Sequence, residues 1–486
     1  MYTWIPLTTA ADLTKLKDFV TPEYKPEQVA DKLINGISNA VKGLLIEHGY
    51  VDKDYRSTYY NFYSKKGQKY NADCVRLHFF DETVDFDKTY LRLSCKDKEL
   101  HDHYFGYMVL RPTGIATIGR SVLTPDVRSG ATGSIIAAYH YVHLLGYTLR
   151  VQGFPSMDQH VDISVCAHVA CWSILRHYSV DQSNYREHLV HDITLMAQQF
   201  NPGGLVPSRG LELSHAERVF QQAGTFPMNI ARRDGDVTDP SFYRQLIAYV
   251  ESGFPLFAAM HKRKHAIAVI GCAWRAPIDE VGAGMRYAWD EVKSLVVVDD
   301  NYLPYLSISR QGGSPYAIED IDDFIVALPE KIYYPADAVD GLAPTLFRLG
   351  TVVGLPPQDE TIIRYFISTG SAFRRFVRER ESEFDTKLFE VIMALPYAQY
   401  VWVVEISTGA QWASGQIAAR AVLDATASLR DPVPLWLFHS RARALIFDRR
   451  TVGSDVTKSV SVLELTGMEQ TALTCMTQNL RPTQSK

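Results

Sequence analysis

The sequence predicts an α+β protein, and three observations carry that expectation. Between about residues 150 and 335 a block of helical periodicity is followed by a block of strand-like runs, with no regular alternation of the two. The runs of the second block, FPLFAAM, HAIAVIGCAW, KSLVVVDD and YLSIS, are short and apolar, and rich in β-branched residues in the later ones. At 486 residues the chain is also longer than one hydrophobic core serves, so two or three domains are expected. The pattern divides into an N-terminal α/β module at 1–130, a core at 131–335 and a C-terminal α/β module at 336–486.

In the first module, DKLINGISNAVKGLLIEHGY spaces Leu33, Ile37, Val41, Leu44 and Leu45 as one helical face, which predicts a helix. CVRLHFF, TYLRLSC and YFGYMVLRP then read as strands, and Pro112 closes the last. PDVRSGATGS has the Gly, Ser and Asp content of a boundary loop. Two apolar runs around Gly146 predict a hairpin that leads into the core. Three helices should follow, in VCAHVACWSILRHY, SNYREHLVHDITLMAQQF and LELSHAERVFQQAG, the last capped by Ser208 or Ser214. Past the linker YYPADAVDGLAP, the C-terminal module offers one charged helix, SAFRRFVRERESEFDTKLFEVIMAL. Strands YVWVVEIS, PLWLFH and ARALIFD and a polar tail complete it.

Composition narrows the function classes. A formal charge of -5 and a pI near 6.3 give no field that would hold nucleic acid or an anionic membrane. The first residues lack a basic segment followed by an apolar stretch, and no run of about 18 apolar residues occurs, so a cytoplasmic protein that neither enters nor crosses a membrane is expected. Six cysteines (Cys74, Cys95, Cys166, Cys171, Cys272 and Cys475) contain no C-x-x-C pair, which predicts reduced thiols with neither a disulfide framework nor a zinc ribbon.

Chemistry concentrates at DQHVDISVCAHVACWSILRHY. With Asp162 or Ser164 as N-cap, Cys166 falls in the first helical turn, where free N–H groups and the positive end of the helix dipole favour a thiolate. Cys171, five residues on, is rotated by roughly 140° and belongs with Trp172, Ile174 and Leu175 on the buried stripe, so the two thiols share neither a cleft nor a metal. An isolated cysteine is usually a small buried hydrophobe, and context must overturn that reading. Three features do so in order. Gln159 precedes the helix, where its amide could face an oxyanion. His265 opens the strand HAIAVIG. Asp299 and Asp300 end the strand LVVV, where either carboxylate could take the second imidazole N–H. His261, flanked by charges in HKRKH, is the competitor for His265, whereas His168 points about 200° from Cys166 and reads as a satisfied polar residue. The basic run FRRFVRER is followed by Glu381, Glu383 and Asp385 and reads as a solvated face.

Gln159, then Cys166 opening a helix with small residues behind it (CAHVA), then GFPLFAAMHKRKHAIAVIG, then LVVVDDN, resembles the papain-like cysteine peptidases, especially their bacteriocin-processing branch. The likeness covers about residues 150–310. Ala167 and His168 stand where that branch carries Gly-Pro, and Asp300 where Pro is common. The resemblance implies a papain-like core in which a helical lobe packs on an antiparallel sheet. It also implies Cys166 as nucleophile, His265 as general base, Asp299 as orienter and Gln159 as oxyanion donor, working without a metal or organic cofactor on a protein or peptide substrate. The flanking modules are expected to restrain the site or to bind a regulatory protein, in keeping with bacterial stress or defence. Two other readings stay open: a cysteine acyltransferase or transglutaminase-like enzyme, and an inactive papain-like binding scaffold.

Overall fold

The computed structural model describes residues 2–82, 97–114, 117–160, 165–197, 211–275, 284–310, 315–355, 360–431, 433–448, 451–452, 455–456, 459–466, 473–477 and 479–483. Helix and sheet are segregated into layers around three large sheets, so the chain is α+β.

The first sheet is antiparallel throughout, with strands in the spatial order Tyr2–Pro6, Gly43–Tyr50, Cys74–Phe80, Tyr104–Leu110, Ile118–Leu123, Tyr147–Ser156 and Ala138–Leu144. Two expectations change here. The helix expected through Val41, Leu44 and Leu45 stops at Ile34, because Asn35 and Gly36 break it and Gly43–Tyr50 becomes a strand between two others. The hairpin expected to open the core at 131 instead completes this sheet, so the first module reaches Ser156. The expected strand TYLRLSC lies outside the described residues.

The second sheet carries the strands foreseen for the core. Its spatial order is Leu306–Ser309, Val292–Val298, His265–Trp274, Leu256–Met260, Asp323–Leu328 and Phe226–Ala231, all neighbours antiparallel. Strand alternation makes it the centre of two cores. Phe257, Ala259, Ala266, Ala268 and Ile270 face the helices Cys166–Asp181, Val190–Ala197 and Leu213–Gln222. Leu256, Ala258, Met260, Ile267 and Val269 face the helices Pro240–Glu251 and Ala336–Gly350 and, beyond them, the third sheet. The Pro240–Glu251 helix was not anticipated, although Asp239 caps it by accepting from Ser241 N–H and Pro240 sits at its first position. The helix at Leu213 starts from Glu212; Ser214 lies inside it, and Ser208 lies outside the described residues.

The third sheet holds the expected strands Tyr400–Ser407, Leu435–His439 and Arg443–Asp448, together with Glu360–Thr369, Ala419–Asp424 and Ser459–Glu464. The single charged helix expected at 371–395 is two helices, Gly370–Arg378 and Thr386–Ala394, because Asp385 turns its carboxylate onto Lys387 and Leu388 N–H and caps the second. Two crossings tie this module to the core: Gly284–Tyr287 pairs in parallel with Glu360–Thr369, and the tail residues Arg481–Pro482 pair with Ser134–Ile135, which in turn pairs with the His265 strand. No helix among the described residues is long and apolar enough to cross a membrane.

Candidate functional site

The Cys166–Asp181 helix begins where the sequence places it, with Cys166 as its first residue, but its cap differs. Val165 occupies the N-cap position in an extended conformation and has no side-chain acceptor to offer; Asp162 and Ser164 lie outside the described residues. His168 supplies the reciprocal contact instead, Nδ1 accepting from Val165 N–H at 3.3 Å. That bond needs a neutral ring, and burial pushes the His168 pKa down to about 4. Cys166 and Ala167 stand in the first turn, where backbone N–H groups have no acceptor within the helix itself. Behind that end, Cys171, Trp172, Ile174, Leu175 and Tyr178 are buried and anchor the helix.

Opposite the helix, the chain leaves the strand Leu256–Met260, makes a turn over His261–Arg263 and reverses at Lys264, whose φ of 51° is in the left-handed region. His265 is thereby the first residue of the returning strand, register-paired with Met260. Asp299 follows the last residue of the neighbouring strand, Val292–Val298. These two strand ends meet: His265 Nε2 lies 3.1 Å from Asp299 Oδ2 and 3.8 Å from Asp300 Oδ1. The Cys166 thiol shares the cavity wall with the His265 ring, close enough to favour its charged form. With Nε2 committed to the carboxylate, Nδ1 is the nitrogen left for sulfur.

The electrostatics follow from burial and pairing. Burial opposes a charge on His265, but hydrogen bonds with Asp299 and Cys166 outweigh it and push its pKa up to about 10. Burial alone would raise Asp299, yet the hydrogen bond from His265, with help from Asn301 N–H and Tyr316, holds it below the usual carboxylate range. Asp300 is pushed up to about 7, first by burial and then by the neighbouring Asp299 charge. Of the two acids between which the sequence left the choice open, Asp299 is the closer to His265 and the more readily ionised. His265, Asp299 and Asp300 offer three ligand atoms within 4.8 Å of one another, spacing that a metal ion could use. Asp299 is already spent, however: Oδ2 faces His265, and Oδ1 accepts from Asn301 N at 2.8 Å and Asn301 Nδ2 at 3.2 Å. The donor set is that of a hydrogen-bonded pair with a flanking acid.

Cys166, His265 and Gln159 line one cavity of about 610 Å³, whose apolar walls include Leu211, Leu213, Phe257 and Met260. Gln159 is thus on the same cleft as the thiol. The remaining described cysteines are elsewhere: Cys74, Cys171 and Cys272 are buried, and burial pushes their thiols up, while Cys475 lies in the C-terminal module. Cys95 lies outside the described residues. His261 reaches the same cavity but pairs with Asp323, on a ring 59 % exposed. Two contributors escaped sequence reasoning. Tyr316 packs its ring 5.5 Å from that of His265 and helps hold Asp299 ionised, and nothing in SPYA marks it. Asn301 stands within LVVVDDN, where an Asx turn, the Asp299 carboxylate accepting from Asn301 N–H, was a legible signal.

Searches against family models, curated proteins and solved structures found no match to this chain.

Proposed function

We propose that this chain is a papain-like cysteine hydrolase that cleaves a peptide or isopeptide bond through Cys166, His265 and Asp299. The observation that carries the reading is the His265 ring held between a thiol at a helix N-terminus and a buried carboxylate, on the wall of a cleft. A nucleophile, a base and an orienter in that sequence are what acyl chemistry requires. A helix packed on an antiparallel sheet, with cysteine and histidine at facing ends, supports the papain-like architecture.

In this mechanism Cys166 sulfur attacks the substrate carbonyl carbon after its proton has passed to His265. Charge gathers on the carbonyl oxygen, which the Cys166 backbone N–H and the Gln159 amide stabilise. The imidazolium then protonates the departing amine, and the C–N bond breaks to leave a thioester on Cys166. His265 next takes a proton from water, which attacks the thioester and releases the acid and the free thiol. Asp299 keeps the ring in the tautomer that presents Nδ1 to sulfur. The apolar walls at Leu211, Leu213, Phe257 and Met260 suit an apolar side chain next to the scissile bond. Unpaired thiols throughout the described residues accord with a reducing, cytoplasmic setting.

Limiting iodoacetamide followed by peptide mapping tests the nucleophile: Cys166 should be alkylated in preference to Cys171, and hydrolysis of a peptide library should vanish in Cys166→Ala. Preferential labelling elsewhere, or hydrolysis that survives this substitution, sinks the reading. Adding a primary amine separates transfer from hydrolysis, since transfer leaves a new amide and hydrolysis a free acid.

A further inference from the structure

The segment Asp299–Tyr305, which carries the orienting carboxylate, leaves the core sheet after Val298 and returns to it at Leu306. In between, its fastenings run to the N-terminal module. Lys32, on the helix Pro26–Ile34, donates from Nζ to Asp300 O at 3.0 Å while pairing with Asp158 Oδ1 at 2.5 Å. Arg128 Nη1 donates to Leu303 O at 2.6 Å. The Leu303 side chain is 3 % exposed and belongs to the N-terminal hydrophobic cluster with Leu33, Leu123 and Val127. It lies so close to Gly36 that a Cβ there would come within 2.8 Å of Leu303 Cδ1. Tyr305 holds a left-handed φ of 68° and is pinned from the same side, its hydroxyl donating to Leu123 O at 2.5 Å and accepting from Phe154 N at 2.9 Å. A buried non-glycine residue in that region is strained and persists where its surroundings enforce it.

The same module also grips the nucleophile helix. Asp54, fully enclosed, accepts from Trp172 Nε1 at 3.0 Å and from Arg176 Nη2 at 2.7 Å on Oδ1. One module therefore holds both the Cys166 helix and the Asp299 segment, which come from parts of the chain more than a hundred residues apart.

From this geometry we infer that the N-terminal module is a working part of the site, a clamp in which Lys32, Arg128 and the Gly36–Leu303 contact are positioning elements that hold Asp299 against His265. The inference rests on the hydrolase reading for its link to turnover, not for the clamp itself. Loosening the clamp lets the segment drift, so His265 loses its carboxylate while Cys166, anchored through Asp54, stays in place. Misplacement of about 1 Å at such a contact costs up to about 100-fold in rate.

The test uses the full chain and reads the clamp without activity. In protein with ¹³C-labelled histidine, the His265 ring, assigned by its loss in His265→Gln, is titrated by NMR. The groups facing it are Cys166, Asp299, Asp300 and Tyr316, with Arg263 over the Tyr316 ring. Lys32→Met, Arg128→Met and Gly36→Ala should each lower the His265 midpoint by about a unit or more and turnover by about tenfold with little change in KM. Lys32→Arg should restore both, whereas Cys171→Ala should leave both unmoved, whatever it costs in stability. Gly36→Ala keeps every charge and serves where Lys32→Met does not fold. An unchanged His265 midpoint in folded Lys32→Met, Arg128→Met and Gly36→Ala overturns the clamp even if Cys166-dependent hydrolysis is found. A lowered midpoint in a protein that hydrolyses nothing keeps the clamp and overturns the hydrolase reading.

Discussion

Two histidines on the wall of the same cavity each pair with an aspartate, and the two pairs differ in almost everything but composition. His265–Asp299 joins the ends of neighbouring strands, with side chains 12 % and 0 % exposed. His261–Asp323 sits on the turn that precedes it, and its ring is 59 % exposed. Water reaches the His261 ring, though its partner Asp323 is buried, and this exposure weakens the outer pair's attraction. The inner pair is shielded, its acid is locked by Asn301 and Tyr316, and its ring has the Cys166 thiol as second neighbour. A shared motif is thus not a shared function. What separates the two is a nucleophile on the far side of the ring and a low-dielectric setting that makes proton exchange with it worthwhile.

The largest effect that could break this comparison is on turnover. His265→Ala should drop hydrolysis to background, as should Cys166→Ala, because each removes a group that forms or breaks a bond at the reacting centre. His261→Ala should leave most of the rate. A steady-state assay of the three variants reversing that order would move the base to the outer pair. Next in size, Gln159→Ala should lower kcat by about 100- to 1,000-fold if its amide meets the oxyanion. Asp299→Ala should cost less than His265→Ala, about 100-fold, since the orienter steers the ring without bonding substrate. Asp300→Asn should cost less again; if it costs more than Asp299→Ala, the flanking acid and the orienter exchange roles.

How much of this was legible in the sequence depends on whether the signal was local. Cys166 at a helix start, His265 at a strand start and Asp299 at a strand end are each marked by a change of periodicity within a few residues, and the structure brings all three together. The cap was misread because hydroxyl and carboxylate side chains usually take that position, and a neutral buried histidine did the work from inside the helix. The Val41–Tyr50 stretch was misread because apolar residues at positions 41, 44 and 45 fit a helix by spacing alone, while pairing with two distant strands decided for sheet. Nothing local could announce that the hairpin at 138–156 joins the first sheet. Nor could it show that Arg481–Pro482 returns to Ser134–Ile135, or that Lys32 reaches Asp300 from 268 residues away. Register and docking between modules are long-range choices, settled by which buried faces fit.

The inner pair also carries a pH signature. The His265 pKa is raised from 6.5 to about 10, so its folded-state stabilisation is fully present below the unfolded value and is lost as pH rises through about 10. The gap in urea midpoint between the parent protein and His265→Gln should therefore be widest near pH 6 and close by about pH 10. A gap that widened with pH would mean that the ring is neutral in the folded protein, and would take the imidazolium out of the mechanism.

The smallest expected effect is at the outer pair, and it is the sharpest control on the rest. His261 Nε2 reaches Asp323 Oδ2, and the His261 N–H is separately held by Asp322 Oδ2 at 2.8 Å, so the turn keeps its shape when the ring is removed. Asp323 opens a central strand and is register-paired with Ala231 and Ala259, contacts that its carboxylate does not make. Asp323→Asn should therefore shift stability by less than about 1 kcal/mol, as for other solvent-screened pairs, and alter turnover by no more than about threefold. Any residual effect should appear in KM, because His261 lines the cleft and spends its ring on Asp323. If Asp323→Asn instead lowers kcat as much as Asp299→Ala does, the two pairs act in series on one proton, and the distinction between a shielded pair and a solvated one no longer explains the site.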